Sequence, residues 1–319
     1  MTQPALVVNV AVAEKAISVG PAWSSVAAAV GDQLAGPSAV TPRRAAISSM
    51  RIVSMIEGMA IDPSAQVAST ARIHPEAVVG PECVIGEYCV IESDVRLGRA
   101  NRLEPYVFVK RFTTMGDENE ISAGAVLGTD PFDKVFSGEP SYLVMGNRNR
   151  IREHWTISRG TKPGSTTWVG DDNYIMGSGH IAHDCVIGNG VVIASNTLVA
   201  GYVQVGDQAF LSGGVVVHQH SRIGRNVMVG GNSRVNLDLP PFFLYAGFDA
   251  RPTGLNLVGL RRAGFTKEQL RELKLAYSLL YQSGLTRAEA VERLSAMPLG
   301  GEVAAFVRGS ERGIARPEG

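Results

Sequence analysis

From Ile61 onwards an aliphatic residue returns at every sixth position. The series runs Ile61, Val67, Ile73, Val79, Ile85, Ile91, Leu97, Leu103, Val109, Met115, Ile121 and Leu127. It reappears at Met145, Ile151 and Ile157, then holds without a break from Val169 to Val235. The residue after the beat is often glycine, as in VGPECVIGEYCV. A helix repeats about every 3.6 residues and a strand about every second one, so a period of six belongs to neither. Hexapeptide repeats of this kind are the signature of a parallel β-helix, in which short strands turn corners and each coil stacks on the last. The chain is therefore expected to be mainly β.

Two stretches break the beat, at 129–143 (TDPFDKVFSGEPSYL) and 160–168 (GTKPGSTTW). Both are rich in Gly, Pro, Ser and Thr and read as loops leaving the coil. Loops on a rigid scaffold are where binding residues concentrate. Cys83, Cys89 and Cys185 all fall four residues after the beat, in a slot that Ala77 and Ala125 share. That slot takes small side chains inside a narrow coil, where a free cysteine behaves as a small hydrophobe. Their spacing suggests neither a disulfide framework nor a zinc knuckle, and a reducing, cytoplasmic compartment is expected.

The beat defines a central unit, 59–239. Residues 1–58, rich in Ala, Val and Ser, are expected to be a poorly ordered or non-native extension. A secretory leader would carry a basic residue before its apolar run, and none precedes Lys15. No stretch reaches the roughly 18 apolar residues of a membrane span. In residues 240–319 the beat gives way to a crossing segment, 240–264. Capping boxes at Thr266–Gln269 and Thr286–Glu289 then open two helices of a C-terminal α-helical domain. Thirty Lys+Arg balance thirty Asp+Glu, so no net field draws the chain to nucleic acid or an anionic membrane.

Chemistry concentrates in GSGHIAHDC, 177–185, which holds two of the six histidines, His180 and His183, and then Asp184. Zinc needs three or four ligand atoms aimed at one point, and no third histidine is placed to stack over either of these. No metal is expected. A histidine beside a corner can equally be an ordinary surface residue, and the residues alone leave that reading open.

The hexapeptides resemble those of the left-handed β-helix acyltransferases, in which three make one triangular coil. On that resemblance 61–235 forms about ten left-handed coils of about eighteen residues. GHIAHDCVIGN, VAGYVQVGD, VVHQHSRIG, VMVGGNSRV, MGNRNRIREHWTISRGT, LPPF and GLRRAGF narrow it further. These stretches are similar to the acyl-carrier-protein-dependent UDP-N-acetylglucosamine O-acyltransferases, which begin lipid A synthesis, and the likeness covers about residues 59–308.

The coil arithmetic puts His183 beneath Gly201 and Gln219, and Asp184 beneath Tyr202 and His220. The resemblance implies that His183 is a general base, that Asp184 orients it, and that the Gly201 N–H receives the oxyanion. Histidine suits the task because its ordinary pKa lies near neutrality. It implies substrate contacts for Asp133, His180, Tyr202 and Gln219, an acyl-site position for His218, and nucleotide contacts for Asn256 and Arg262. Gly231 matches the position that limits acyl length, and glycine there implies a chain of about fourteen carbons. The acyl donor is expected to be the phosphopantetheine thioester of acyl carrier protein, with no other cofactor, and the carrier is expected to dock on the helical tail. A homotrimer with His183 facing a neighbouring subunit is implied as well.

The likeness breaks around the sugar. Ser158 and Tyr202 stand where the family has histidines, Val135 where it has a lysine, Ala263 where it has a second arginine, and Val258 where it has an acid. These changes leave two alternatives open: transfer to a different or 3-amino UDP-sugar, and a non-catalytic paralogue that binds the nucleotide sugar.

Overall fold

The structure is a computed structural model that describes residues 60–317; the expected N-terminal extension lies outside them. The described residues form a parallel β-helix followed by four helices. Most coil strands are only two residues long and close on the beat residue, as in Val78–Val79 and Val186–Ile187. They build three sheets, here A, B and C, of eight, eleven and nine strands. From Val79 onwards the beat residues point inward, so Ile85, Leu103, Ile121, Ile151, Ile175 and Ile193 are buried in one continuous core.

A coil corner has four residues, and its third has a left-handed backbone. Asp184, Tyr202 and His220 show φ values of 58°, 61° and 62°. An L-residue pays for that conformation, and the corner recovers hydrogen bonds in return. Tyr202 N–H donates to His183 O, and His220 N–H to Gly201 O, both at 3.0 Å.

The register between coils is 18 residues through Asn101 and Asn119, lengthens to 30 between Asn119 and Asn149, and to 24 between Asn149 and Asn173. The two longer turns therefore carry the two loops, and both leave the corner between sheets C and A. The first joins the strand Val126–Thr129 to Tyr142–Met145, and the second joins Trp155–Ser158 to Thr166–Val169. Both loops are shorter than expected, because Tyr142, Leu143 and Thr166–Trp168 belong to four-residue strands that pair with one another.

The asparagines occupy the same interior slot as the cysteines. Each Oδ1 accepts the next one's backbone N–H and Nδ2 at 2.9–3.0 Å, from Asn101 through Asn119 and Asn149 to Asn173. The cysteine thiols also face inward, Sγ to a carbonyl of the coil above. Burial pushes all three thiols up, Cys185 to about 12, which leaves no thiolate for chemistry.

Residues expected to cross away at 240 instead extend sheet B. Phe243–Ala246 pairs parallel with the strand Met228–Val229, and Arg251–Leu255 returns antiparallel. Helices follow at α1 (Leu257–Arg262), α2 (Lys267–Tyr281), α3 (Arg287–Ser295) and α4 (Pro298–Arg308). Thr266 and Thr286 form complete capping boxes with Gln269 and Glu289. The helices are tied to the coil by a bidentate pair from Arg225 to Glu302 at 2.7 and 2.8 Å. Tyr245 and Tyr281 share a buried hydroxyl contact of 3.1 Å. No described helix is long and apolar enough to cross a membrane.

Candidate active site

His183 follows the sheet C strand Gly179–Ile181 and stands at the C–A corner. Its side chain is 11% exposed. The ring packs over Gly201 in the next coil, with no room for a β-carbon there. Nδ1 lies 2.9 Å from Asp184 Oδ2. An ionised carboxylate only accepts hydrogen bonds, so Nδ1 carries the proton in this contact, and in the neutral ring Nε2 is the nitrogen with the lone pair. The tautomer follows from that partner.

Asp184 is held from three sides. Its Oδ2 also accepts Thr161 N–H at 3.1 Å and Thr161 Oγ1–H at 2.7 Å, and its own N–H donates to Thr167 Oγ1 at 2.8 Å. Burial alone would raise the carboxyl pKa. Hydrogen bonds from His183, Ser165 and Thr161 outweigh it, and the net direction is below the usual value. Asp184 is thus an anion at neutral pH.

Asp133 lies in the first loop, with Oδ2 4.0 Å from His183 Nε2. Arg159, nearly fully buried, anchors that loop through Asp130 Oδ1 at 2.5 Å, with its guanidinium 5.1 Å from the Phe136 ring centre. His180 lies in the strand that leads to His183. Its Nδ1 meets Thr156 Oγ1 at 2.7 Å, its ring stacks on Phe132 at 5.0 Å, and its Nε2 is buried without a partner. Burial lowers its pKa, and the nearby His183 adds to the effect, so the ring is neutral.

Gly201 is buried, and among the described residues nothing accepts its N–H. Tyr202 stacks on His220, with centroids 4.6 Å apart and planes 6° apart, and meets His183 edge-on at 5.2 Å. Its hydroxyl lies 3.0 Å from Thr161 Oγ1. Ser158 is fully buried and pairs with Thr129 Oγ1 at 2.8 Å. His218 and Gln219 are exposed on the C–A corner above Gly201. Among the described residues no three acidic, His or Cys side chains converge on a metal-sized point.

One corner therefore gathers His183, Asp184, Gly201, Asp133, His180, Tyr202, His218 and Gln219. Three expected site residues lie elsewhere. Gly231 is exposed on the B–C corner, after the sheet B strand Met228–Val229. Asn256 caps α1, accepting Gly259 N–H at 3.0 Å and donating to Asn226 O at 2.9 Å. Arg262 is exposed in the last turn of α1. Thr161, Ser165 and Thr167 were not foreseen, and their only sequence trace is the hydroxyl-rich GTKPGSTTW.

Comparison with known proteins bears on this corner. Residues 238–315 match the family described as UDP-N-acetylglucosamine O-acyltransferase, domain 2. An acyl-(acyl-carrier-protein)–UDP-N-acetylglucosamine O-acyltransferase from Verminephrobacter eiseniae is 43% identical over 213 residues, 64% of this chain and 81% of its own. The enzyme of that name from Burkholderia lata is 43% identical over 211 residues, 63% of this chain and 80% of its own. Among solved structures, a UDP-N-acetylglucosamine acyltransferase from Bacteroides fragilis superposes with a TM-score of 0.77 at 36% identity, covering 79% of this chain and 100% of that one. The one from Francisella novicida gives 0.71 at 35%, covering 80% and 94%.

Proposed function

The chain belongs to the acyl-(acyl-carrier-protein)–UDP-N-acetylglucosamine O-acyltransferases, and we propose that it performs their reaction with His183 as general base. A 3-hydroxyacyl group passes from the carrier's thioester to the 3-hydroxyl of UDP-N-acetylglucosamine, in the lipid A pathway. We place the reaction in the cytoplasm.

The observation that carries this reading is the Nδ1–Asp184 bond, which leaves Nε2 of His183 as the free base beside the unclaimed N–H of Gly201. Nε2 takes the sugar hydroxyl's proton as its oxygen attacks the thioester carbonyl. The developing oxyanion takes the Gly201 N–H. The C–S bond then breaks, and the imidazolium returns its proton to the departing thiolate. Asp184 stabilises that imidazolium throughout. Three dispersed residues support a site shared between copies. His183 is on the C–A corner, Gly231 on the B–C corner, and Asn256 is tied to the A–B corner through Asn226. One prism cannot close them around one ligand, which supports a homotrimer with clefts between neighbours. Gly231, with no side chain, suits a long acyl chain of about fourteen carbons, and the exposed arginines of α1 suit the acidic carrier protein.

A mass-resolved transfer assay tests this, with 3-hydroxymyristoyl carrier protein and UDP-N-acetylglucosamine beside its 3-amino analogue. O-acylated product that disappears in His183→Ala supports the reading. Product from the amino sugar alone moves the chain to a sister acceptor. No product from either sinks it in favour of a nucleotide-sugar-binding protein.

A further inference from the structure

We propose that Thr161 and Tyr202 are positioning residues of this site: a two-hydroxyl relay that fixes the Asp184 carboxylate and, through it, the tautomer of His183. The inference rests on reading His183 as the base.

The direction of the relay follows from counting protons. Asp184 Oδ2 meets three donors, His183 Nδ1 at 2.9 Å, Thr161 N at 3.1 Å and Thr161 Oγ1 at 2.7 Å. A threonine hydroxyl has one proton, and an ionised carboxylate can only accept. That proton is therefore spent on Asp184. The 3.0 Å contact between Thr161 Oγ1 and Tyr202 Oη then has one arrangement left, with the phenol as donor. Tyr202 gives to Thr161, Thr161 gives to Asp184, and His183 gives to Asp184 from the other side. Each hydroxyl polarises the next, which strengthens the chain.

This changes what Tyr202 is for. The resemblance places a substrate contact here, but the only proton on its hydroxyl points into the protein. Its ring is fixed by the stack on His220 and by its edge-on packing against His183. Thr161 reaches the corner only because the second loop makes a 24-residue coil where an 18-residue one would close without it. The lowered pKa of Asp184, despite its burial, is consistent with these donors.

The relay has a chemical consequence. Donors on Oδ2 draw charge from the carboxylate, so they moderate how strongly it favours imidazolium on His183. Losing the Thr161 proton leaves a more basic carboxylate and a more basic His183. The acidic limb of the rate profile must then move to higher pH, since the base works only when neutral.

The test is the pH profile of acyl transfer by the full chain, with separate kcat and KM. Thr161→Val is expected to lower kcat about tenfold, with KM little changed, and to shift the acidic limb up by about half a pH unit. Thr161→Ser, which keeps the proton, should recover to within about threefold of the parent. Tyr202→Phe should lower kcat about threefold, and should cost nothing further in the Thr161→Val background, because the phenol acts only through Thr161. A Thr161→Val profile that overlays the parent's overturns the proposal. So does a Tyr202→Phe effect that is additive, or one that appears in KM alone. Should Thr161→Val fail to fold, Thr161→Ser and Tyr202→Phe carry the test, the latter removing one oxygen from a half-buried ring. His183→Ala runs beside them. If it retains turnover, the base reading falls and takes the relay with it. If it is inactive while Thr161→Val is unaffected, the relay alone is wrong.

Discussion

The imidazole of His183 lies across the α-carbon of Gly201, so that a β-carbon there would fall 2.7 Å from Nε2 and 3.0 Å from Nδ1. The contact joins successive coils of one corner. It sets the base directly under the amide assigned to the oxyanion.

Gly201→Ala should therefore damage catalysis more than stability. The ring can escape only by leaving Asp184, because its Nδ1 bond fixes its position. Turnover should fall about a hundredfold, while the melting temperature moves by only a few degrees. Equal loss of both would mean that the glycine serves packing alone.

Asp184→Asn tests the tautomer. The amide has nearly the carboxylate's shape but no charge with which to stabilise imidazolium. A drop in kcat of about a hundredfold or more is expected, with UDP-sugar affinity little changed by calorimetry. Full activity in this variant would show that the dyad is not used.

His180 gives a pH signature. Burial lowers its pKa from the ordinary 6.5, so the unfolded chain binds a proton there before the folded one does. Its contribution is complete above the unfolded value and is lost as pH falls through the lower folded value. The melting temperature of the parent should drop as pH falls below the ordinary histidine value of 6.5, and His180→Gln should flatten that slope. An unchanged slope would place the acid sensitivity elsewhere.

Asn149→Ala interrupts the interior ladder. It removes the acceptor for both the backbone N–H and the Nδ2 of Asn173, two groups buried inside the coil. Each buried donor left unpaired costs about 1–3 kcal/mol. A loss of about 2–5 kcal/mol in urea unfolding is the expected result, and a loss below 1 would show that the coil relaxes to compensate.

Much of the coil could be read because each hexapeptide commits one side chain to the interior. Ile181, Ile187 and Ile193 declare themselves by spacing alone. What escaped was set by contacts distant in sequence. The loops end earlier than the beat implies, at Tyr142 and Thr166, because a four-residue strand shows only its last residue to the beat. Sheet B continues past 240 unseen by the beat because Tyr245 replaces an aliphatic residue over Val229 and breaks the pattern while keeping the pairing. Thr161 was invisible as a site residue, since its partner Asp184 lies 23 residues on and nothing local marks the meeting. The corner itself is legible, because stacking at 18 residues puts Gly201 over His183.

Both loops leave the same corner, and that has a consequence for how such a chain can vary in length. A coil is a closed circuit of fixed circumference, and one extra residue in a strand or an ordinary corner would turn every later side chain out of the core. Residues added at the exit points near Thr129 and Ser158 lie off that circuit and leave the interior register intact. Insertions should be accepted there and rejected on the other two corners. A purification tag or reporter peptide grafted into the first loop would keep the scaffold folded, yet would stand beside Asp133 and sense whatever enters the site.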